Sequence, residues 1–124
     1  MKRTRILAAL LSLALLAPAF ADEVAQKSIA DIYKEKAELA GKPVKLQGKV
    51  VKVNNNIMNR NFLHLQDGSG DPALGTNDLT ITSDGTAAMG DTVSVTGTLA
   101  VDTDFGSGYK YPLLVEKATI AKGQ

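Results

Sequence analysis

The stretch NFLHLQDGSGD, residues 61–71, holds the chain's only histidine, His64. An imidazole acts as a general base, a metal ligand or a ligand-facing polar group, according to what stands beside it. The thioether of Met58 lies six residues earlier. A soft thioether and a borderline imidazole suit Cu(I), so Met58 and His64 are the candidate metal ligands and Cu(I) the candidate cofactor. Two donors fall short of the three or four that a closed site needs, and Met89 sits apart in a turn. The run DGSGDPALGTND sets Asp67, Ser69, Asp71 and Asp78 at the first, third, fifth and twelfth places of a calcium loop. Pro72 stands where that loop turns on glycine and Asp78 where it has a bidentate glutamate, so the run reads as a hairpin turn with solvated acids. Nucleophilic catalysis finds no support. The chain has no cysteine and no G-x-S-x-G elbow, and Asp102 and Asp104 fall in a glycine-rich loop. These residues point to a binding protein rather than an enzyme.

Their setting is defined first by the N-terminus. MKRTRILAALLSLALLAPAFA has a basic tip (Lys2, Arg3, Arg5), an apolar run from Ile6 to Leu16 and the small residues Ala19 and Ala21. This is the pattern of a secretory signal peptide over residues 1–21, with an apolar run shorter than the ~20 residues of a membrane span. The expected location is the periplasm, with no membrane attachment after cleavage. Removing residues 1–21 leaves 11 basic against 13 acidic residues, a net charge of −2. Such a domain lacks the overall basic footprint of a nucleic-acid binder. With no cysteine to cross-link it, its stability must come from one packed core.

After a short segment, 22–27, residues 28–41 (SIADIYKEKAELAG) predict one amphipathic helix. Ser28 is placed to cap it, Ile29, Ile32, Tyr33, Leu39 and Ala40 form its apolar stripe, and Gly41 and Pro43 stop it. From residue 44 the period becomes two. In VKLQGKVVKV, Val44, Leu46, Gly48 and Val50 share a face and Val51 and Val53 break parity, which predicts a bulge or bend. NFLHLQD, DLTITS, TVSVTGTLAV and YPLLVEKATI predict four more strands, with Leu63, Leu65, Leu79, Ile81, Val93, Val95, Gly97, Leu99, Val101, Leu113, Val115, Ala118 and Ile120 facing the core. Five short antiparallel strands with one helix are expected to close into a barrel, which removes exposed edges.

GKPVKLQGKVVKVN, NFLHLQDGSGD and MGDTVSVTGTL together resemble the OB-fold family of the tRNA-synthetase and helicase anticodon-binding type, over roughly residues 42–120. The resemblance implies a mainly β fold, a five-stranded OB barrel at 42–122 preceded by the helix. It is nearest to small exported OB-fold proteins associated with periplasmic respiratory enzymes. With Leu63 and Leu65 inside such a barrel, Phe62, His64 and Gln66 point outward. That outer face of strands 2 and 3 is where the fold binds ligands, flanked by the loops 54–61 and 102–111. The expected binding face is therefore Met58, Arg60, Asn61, Phe62, His64, Gln66, Phe105, Tyr109, Lys110 and Tyr111. The expected function is a non-enzymatic periplasmic module for a protein, peptide or small ligand, such as an accessory to a redox enzyme. The alternative is a single-stranded nucleic-acid binder; a Cu(I)-binding accessory is the lesser one. The processed protein is expected to begin at Asp22, and intact-mass measurement on protein from the host periplasm checks this; retention of residues 1–21 would contradict it.

Overall fold

The computed structural model describes residues 24–122, so the signal segment and the start of the 22–27 segment lie outside the described residues. The elements are α1 (Ile29–Lys34), α2 (Lys36–Leu39), β1 (Pro43–Ile57), β2 (Arg60–Gln66), β3 (Leu79–Ser83), β4 (Thr92–Asp104) and β5 (Lys110–Lys122). The strands form a closed barrel in the order β1-β2-β3-β5-β4, the five-stranded OB-like architecture expected. One pairing departs from the expected antiparallel set. β4 crosses to pair with the first half of β1, and β5 returns along the open side of β3 in the same direction, so β3 and β5 pair parallel at Thr80↔Leu114 and Ile81↔Val115.

The parity slip in β1 is real and useful. Residues 43–49 pair with β4, residues 49–57 pair with β2, and the register shifts between Val50 and Lys52. Val51 is the extra residue, so Val53 returns to the inner side and packs against the core with Val44, Leu46 and Val50. One long strand thereby borders two neighbours and turns the barrel's corner. A second bulge at Lys117, with φ 53°, restores parity in β5 so that Leu113, Val115 and Ala118 all reach the core. Opposite it, a Cβ on Gly97 would lie 2.6 Å from Val115 Cγ1 and 2.8 Å from the Glu116 carbonyl oxygen, so glycine is required there. Val101, expected inside, is 36% exposed, because β4 and β5 run on past the barrel wall as a two-stranded hairpin.

The helix is not continuous. Glu35, at φ −100° and ψ 15°, separates α1 from α2. The stripe Ile29, Ile32, Tyr33 calls next for an apolar residue at 36 and meets Lys36. The chain bends there, and the Glu35 carboxylate pairs with Lys27 at 3.0 Å. Ile29 and Ile32 are fully buried and belong to the barrel core, so α1 closes one end of the barrel.

α1 is held by its N-terminus. Ser28 Oγ accepts from the Asp31 amide (3.0 Å), Asp67 Oδ2 from the Ile29 amide (2.9 Å) and Ser69 Oγ from the Ala30 amide (2.9 Å). Three of the N–H groups that a helix start leaves unpaired are thus satisfied, two of them by the loop after β2. Asp67 Oδ1 also accepts from the Ser69 hydroxyl (2.6 Å) and amide (3.0 Å). Burial pushes the Asp67 carboxyl up, but hydrogen bonds from the Ser69 hydroxyl and from the Ile29 and Ser69 amides outweigh it and hold it below the usual carboxylate range. A carboxyl lowered by folding contributes stability that is complete above its unfolded pKa of ~3.9 and is lost as pH falls through the folded value. Asp67→Asn is expected to cost about 1 kcal/mol near neutrality, the worth of an N-cap, and to remove this component of acid destabilisation. Denaturant melts of the two proteins from neutral to acid pH check it; parallel acid limbs would contradict it.

Candidate functional site

The two loops expected to flank the binding face are shorter than the sequence suggests. β1 continues to Ile57 and β2 begins at Arg60, leaving a two-residue turn. Met58 and Asn59 have φ 52° and 65°, the positive values that two-residue hairpin turns adopt to match strand twist. β4 likewise runs to Asp104 and β5 starts at Lys110, leaving a five-residue turn closed by the Phe105 amide donating to the Tyr109 carbonyl at 2.8 Å. This hairpin folds its aromatics back over β2.

Phe62 is on the outer side, as its parity requires, opposite Asn54 on β1 and Thr82 on β3. It is nevertheless only 2% exposed. Its ring centroid lies 5.6 Å from Phe105, 5.7 Å from Tyr111 and 6.0 Å from Tyr109, and Phe105 lies 6.1 Å from Tyr111. The Arg60 guanidinium carbon is 4.6 Å from the Phe105 ring centroid, a cation–π contact. Four aromatics from three elements thus form one cluster, edged by Arg60. Burial, and secondarily Tyr109, raises the Tyr111 phenol pKa above its usual value. Tyr109 is the cluster's exposed ring, at 37%, and Lys110 beside it is exposed.

His64 and Gln66 continue the outer face along β2. Asp78, the residue before β3, binds both: His64 Nδ1 lies 2.8 Å from Oδ1, and Gln66 Nε2 donates to Oδ2 at 3.1 Å. The Tyr33 hydroxyl donates to the Asp78 carbonyl oxygen, which joins α1 to the same network. Burial, and then the Asp78 charge, raises the Tyr33 phenol. The register adds Lys52, paired with His64 across β1, and Thr80, paired with it across β3.

Asn61 is used within the fold. Its Oδ1 accepts from the Asn56 amide (2.9 Å) and its Nδ2 donates to the Asp84 and Gly85 carbonyls (3.1 and 2.9 Å), fastening the β1–β2 hairpin to the loop after β3. Met58 stands at the hairpin tip, 36% exposed. From Arg60 to His64 the strand alone spans about 13 Å at ~3.3 Å per residue, so the backbone does not bring the Met58 and His64 side chains together. No group of three or more His, Cys, Asp or Glu side chains that could hold a metal ion occurs among the described residues.

Two hollows meet the face at its ends. One, of about 700 Å³, reaches it at Arg60 and Thr82 and extends to Asp84, Glu116 and Lys117. The other, of about 780 Å³, reaches it at Gln66 and extends to Lys27, Gln47 and Lys49. Between them the outer side of β2 runs about 20 Å from Arg60 to Gln66, six steps at ~3.3 Å each, with Phe62 and the flanking Thr80 and Thr82 buried along it. The alternation in DLTITS already sets Thr80 and Thr82 opposite the core residues. Asp78 lies just outside that alternation, and nothing in the sequence singles it out among the loop acids.

Phe62→Ala is expected to destabilise by about 3–5 kcal/mol, as a buried aromatic does, although it faces outward. Tyr109→Ala is expected to change stability by under about 1 kcal/mol, because its ring is largely at the surface. Denaturant unfolding checks the pair, and equal effects would contradict the cluster's arrangement.

No family model matches the chain, and no curated protein is detectably similar in sequence. Solved structures are similar in fold. A protein described as an aspartyl-tRNA synthetase of Leishmania major Friedlin superposes with TM-score 0.54 at 17% identity, over 83% of this chain and 22% of its own. The asparaginyl-tRNA synthetase of Entamoeba histolytica superposes with TM-score 0.54 at 16% identity, over 82% of this chain and 24% of its own. The same enzyme in complex with asparaginyl-adenylate gives 0.53 at 15% identity. The chain therefore spans under a quarter of the length of these enzymes, and the likeness is one of fold alone.

Proposed function

We propose that this chain is a non-catalytic OB-fold module that binds single-stranded nucleic acid along the outer side of β2. The observation that carries the reading is the aromatic cluster of Phe62, Phe105, Tyr109 and Tyr111 edged by Arg60. OB modules hold single strands by stacking bases on aromatics and tracking the backbone with cations. Tyr109 offers an exposed ring, and Lys52, Arg60 and Lys110 supply local positive charge on a domain that is mildly acidic overall. Two hollows about one strand length apart, at the two ends of β2, suit an extended polymer better than a compact metabolite. The fold likeness to synthetases supports the same choice.

A second reading is favoured by two specific observations. Residues 1–21 carry an export pattern, and the rings pack mainly on one another, leaving Phe62 2% exposed. On this reading the module acts in the periplasm and its face meets a protein or peptide, such as a redox enzyme under assembly.

Fluorescence anisotropy with a short dye-labelled single strand separates the two. Saturable binding is expected, with log K falling against log salt at a slope of about −2 if three cations meet phosphates at ~0.7 per contact. Tyr109→Ala is expected to weaken it about tenfold, the low end of one lost base stack. No saturable binding even at low salt would overturn the nucleic-acid reading in favour of the protein-binding one.

A further inference from the structure

Asp78 holds the lone histidine in one state. A carboxylate accepts hydrogen bonds and donates none, so the hydrogen in the 2.8 Å contact between His64 and Asp78 must sit on Nδ1. Asp78 itself has little freedom. Gln66 Nε2 donates to its other oxygen at 3.1 Å, and Tyr33 donates to its carbonyl. The side chains of His64 and Asp78 are 24% and 29% exposed, so the imidazole can be reached by a ligand although its orientation is fixed. In the neutral ring the lone pair is then on Nε2, the ring's other nitrogen.

We propose that Asp78 is a positioning residue: it fixes His64 as the Nδ1–H tautomer, which makes Nε2 a hydrogen-bond acceptor for an N–H on the edge of a bound base. The proposal rests on the nucleic-acid reading and gives it a division of labour. A phosphate has no hydrogen to offer a neutral acceptor, so His64 contacts bases. Lys52, its neighbour across β1, meets the backbone with Arg60 and Lys110. Base edges of unstacked single strands are open to such hydrogen bonds.

The test is Asp78→Asn, read in two ways. The introduced carbonyl oxygen keeps the Gln66 donor, so the introduced NH2 faces His64 Nδ1 and forces that nitrogen to accept. The hydrogen moves to Nε2, as in catalytic triads whose aspartate is replaced by asparagine. Because the chain has a single histidine, long-range proton–nitrogen spectra of labelled protein report one imidazole without overlap. At about pH 8, where imidazoles are mainly neutral, the wild type is expected to be Nδ1–H and Asp78→Asn to be Nε2–H. Wild type that is mainly Nε2–H overturns the proposal.

The second readout is affinity for the dye-labelled single strand. Removing a negative charge should by itself tighten binding of a polyanion. Loss of the acceptor should weaken it about tenfold, the worth of one hydrogen bond. Weaker binding with an unchanged salt slope supports the proposal; equal or tighter binding overturns it. His64→Leu is expected to show the same loss, and Asp78→Asn to add nothing in that background, whereas additive losses overturn action through His64. Wild type that binds no single strand overturns the base-edge contact together with the nucleic-acid reading it rests on. Wild type that binds while Asp78→Asn binds as well or better overturns this proposal alone.

Discussion

The cap that Asp67 places on α1 is the contact on which the rest of the molecule depends. A five-stranded barrel closes its edges but leaves its ends open, and here one end is filled by Ile29 and Ile32. A six-residue helix has too little internal hydrogen bonding to stand alone. It is held because the loop after β2 offers Asp67 and Ser69 to its first amides, while its own Ser28 serves the next. The bond from the Ile29 amide to the Asp67 carboxylate is charge-assisted and so stronger than the two that end on serine hydroxyls. Once α1 is seated, Tyr33 reaches Asp78, and Asp78 in turn holds His64 and Gln66. The plugging of the barrel end and the orientation of His64 and Gln66 on the outer side of β2 are therefore linked through one short helix.

The other half of the face is built by a different device. β4 and β5 overrun the barrel, and their turn brings Phe105 and Tyr109, with Tyr111 from the start of β5, onto Phe62. This gives an outward-facing residue the burial of a core residue. It also fixes the position of Arg60, whose guanidinium lies over Phe105. The outer side of β2 thus has an aromatic end and a hydrogen-bonded polar end, and both are positioned by elements outside the three-stranded face itself.

What the sequence made legible follows from period and parity. The alternation in NFLHLQD was enough to send Leu63 and Leu65 inward and Phe62, His64 and Gln66 outward. The slip at Val51 announced the bulge that bends β1. The crowding of aromatics into residues 102–111 foretold a cluster, though not that it would pack on itself. Other features depend on tertiary contacts that leave no local trace. The break at Glu35 was visible only as a lysine in the apolar stripe. The runs 54–61 and 102–111 look like loops by composition, yet strand pairing extends into both, and positive φ falls on Asn56, Met58 and Asn59 in the first and on Asp102 and Ser107 in the second. Asp78 was indistinguishable from the other turn acids, since its partners lie twelve, fourteen and forty-five residues away. The parallel closure of β3 on β5 follows from topology rather than from any residue.

The central claim is that the outer side of β2, from Arg60 to Gln66, together with Tyr109 and Lys110, is the binding surface. Titrating nitrogen-15-labelled protein with a short single strand and following its amide and imidazole signals tests this directly. The expected result is saturable shifts in Arg60, Phe62, His64, Lys52 and Tyr109, with the core residues Leu46, Leu79 and Val95 unmoved. Shifts confined to the hollow formed by Glu116 and Lys117, or no shifts at all, would contradict it.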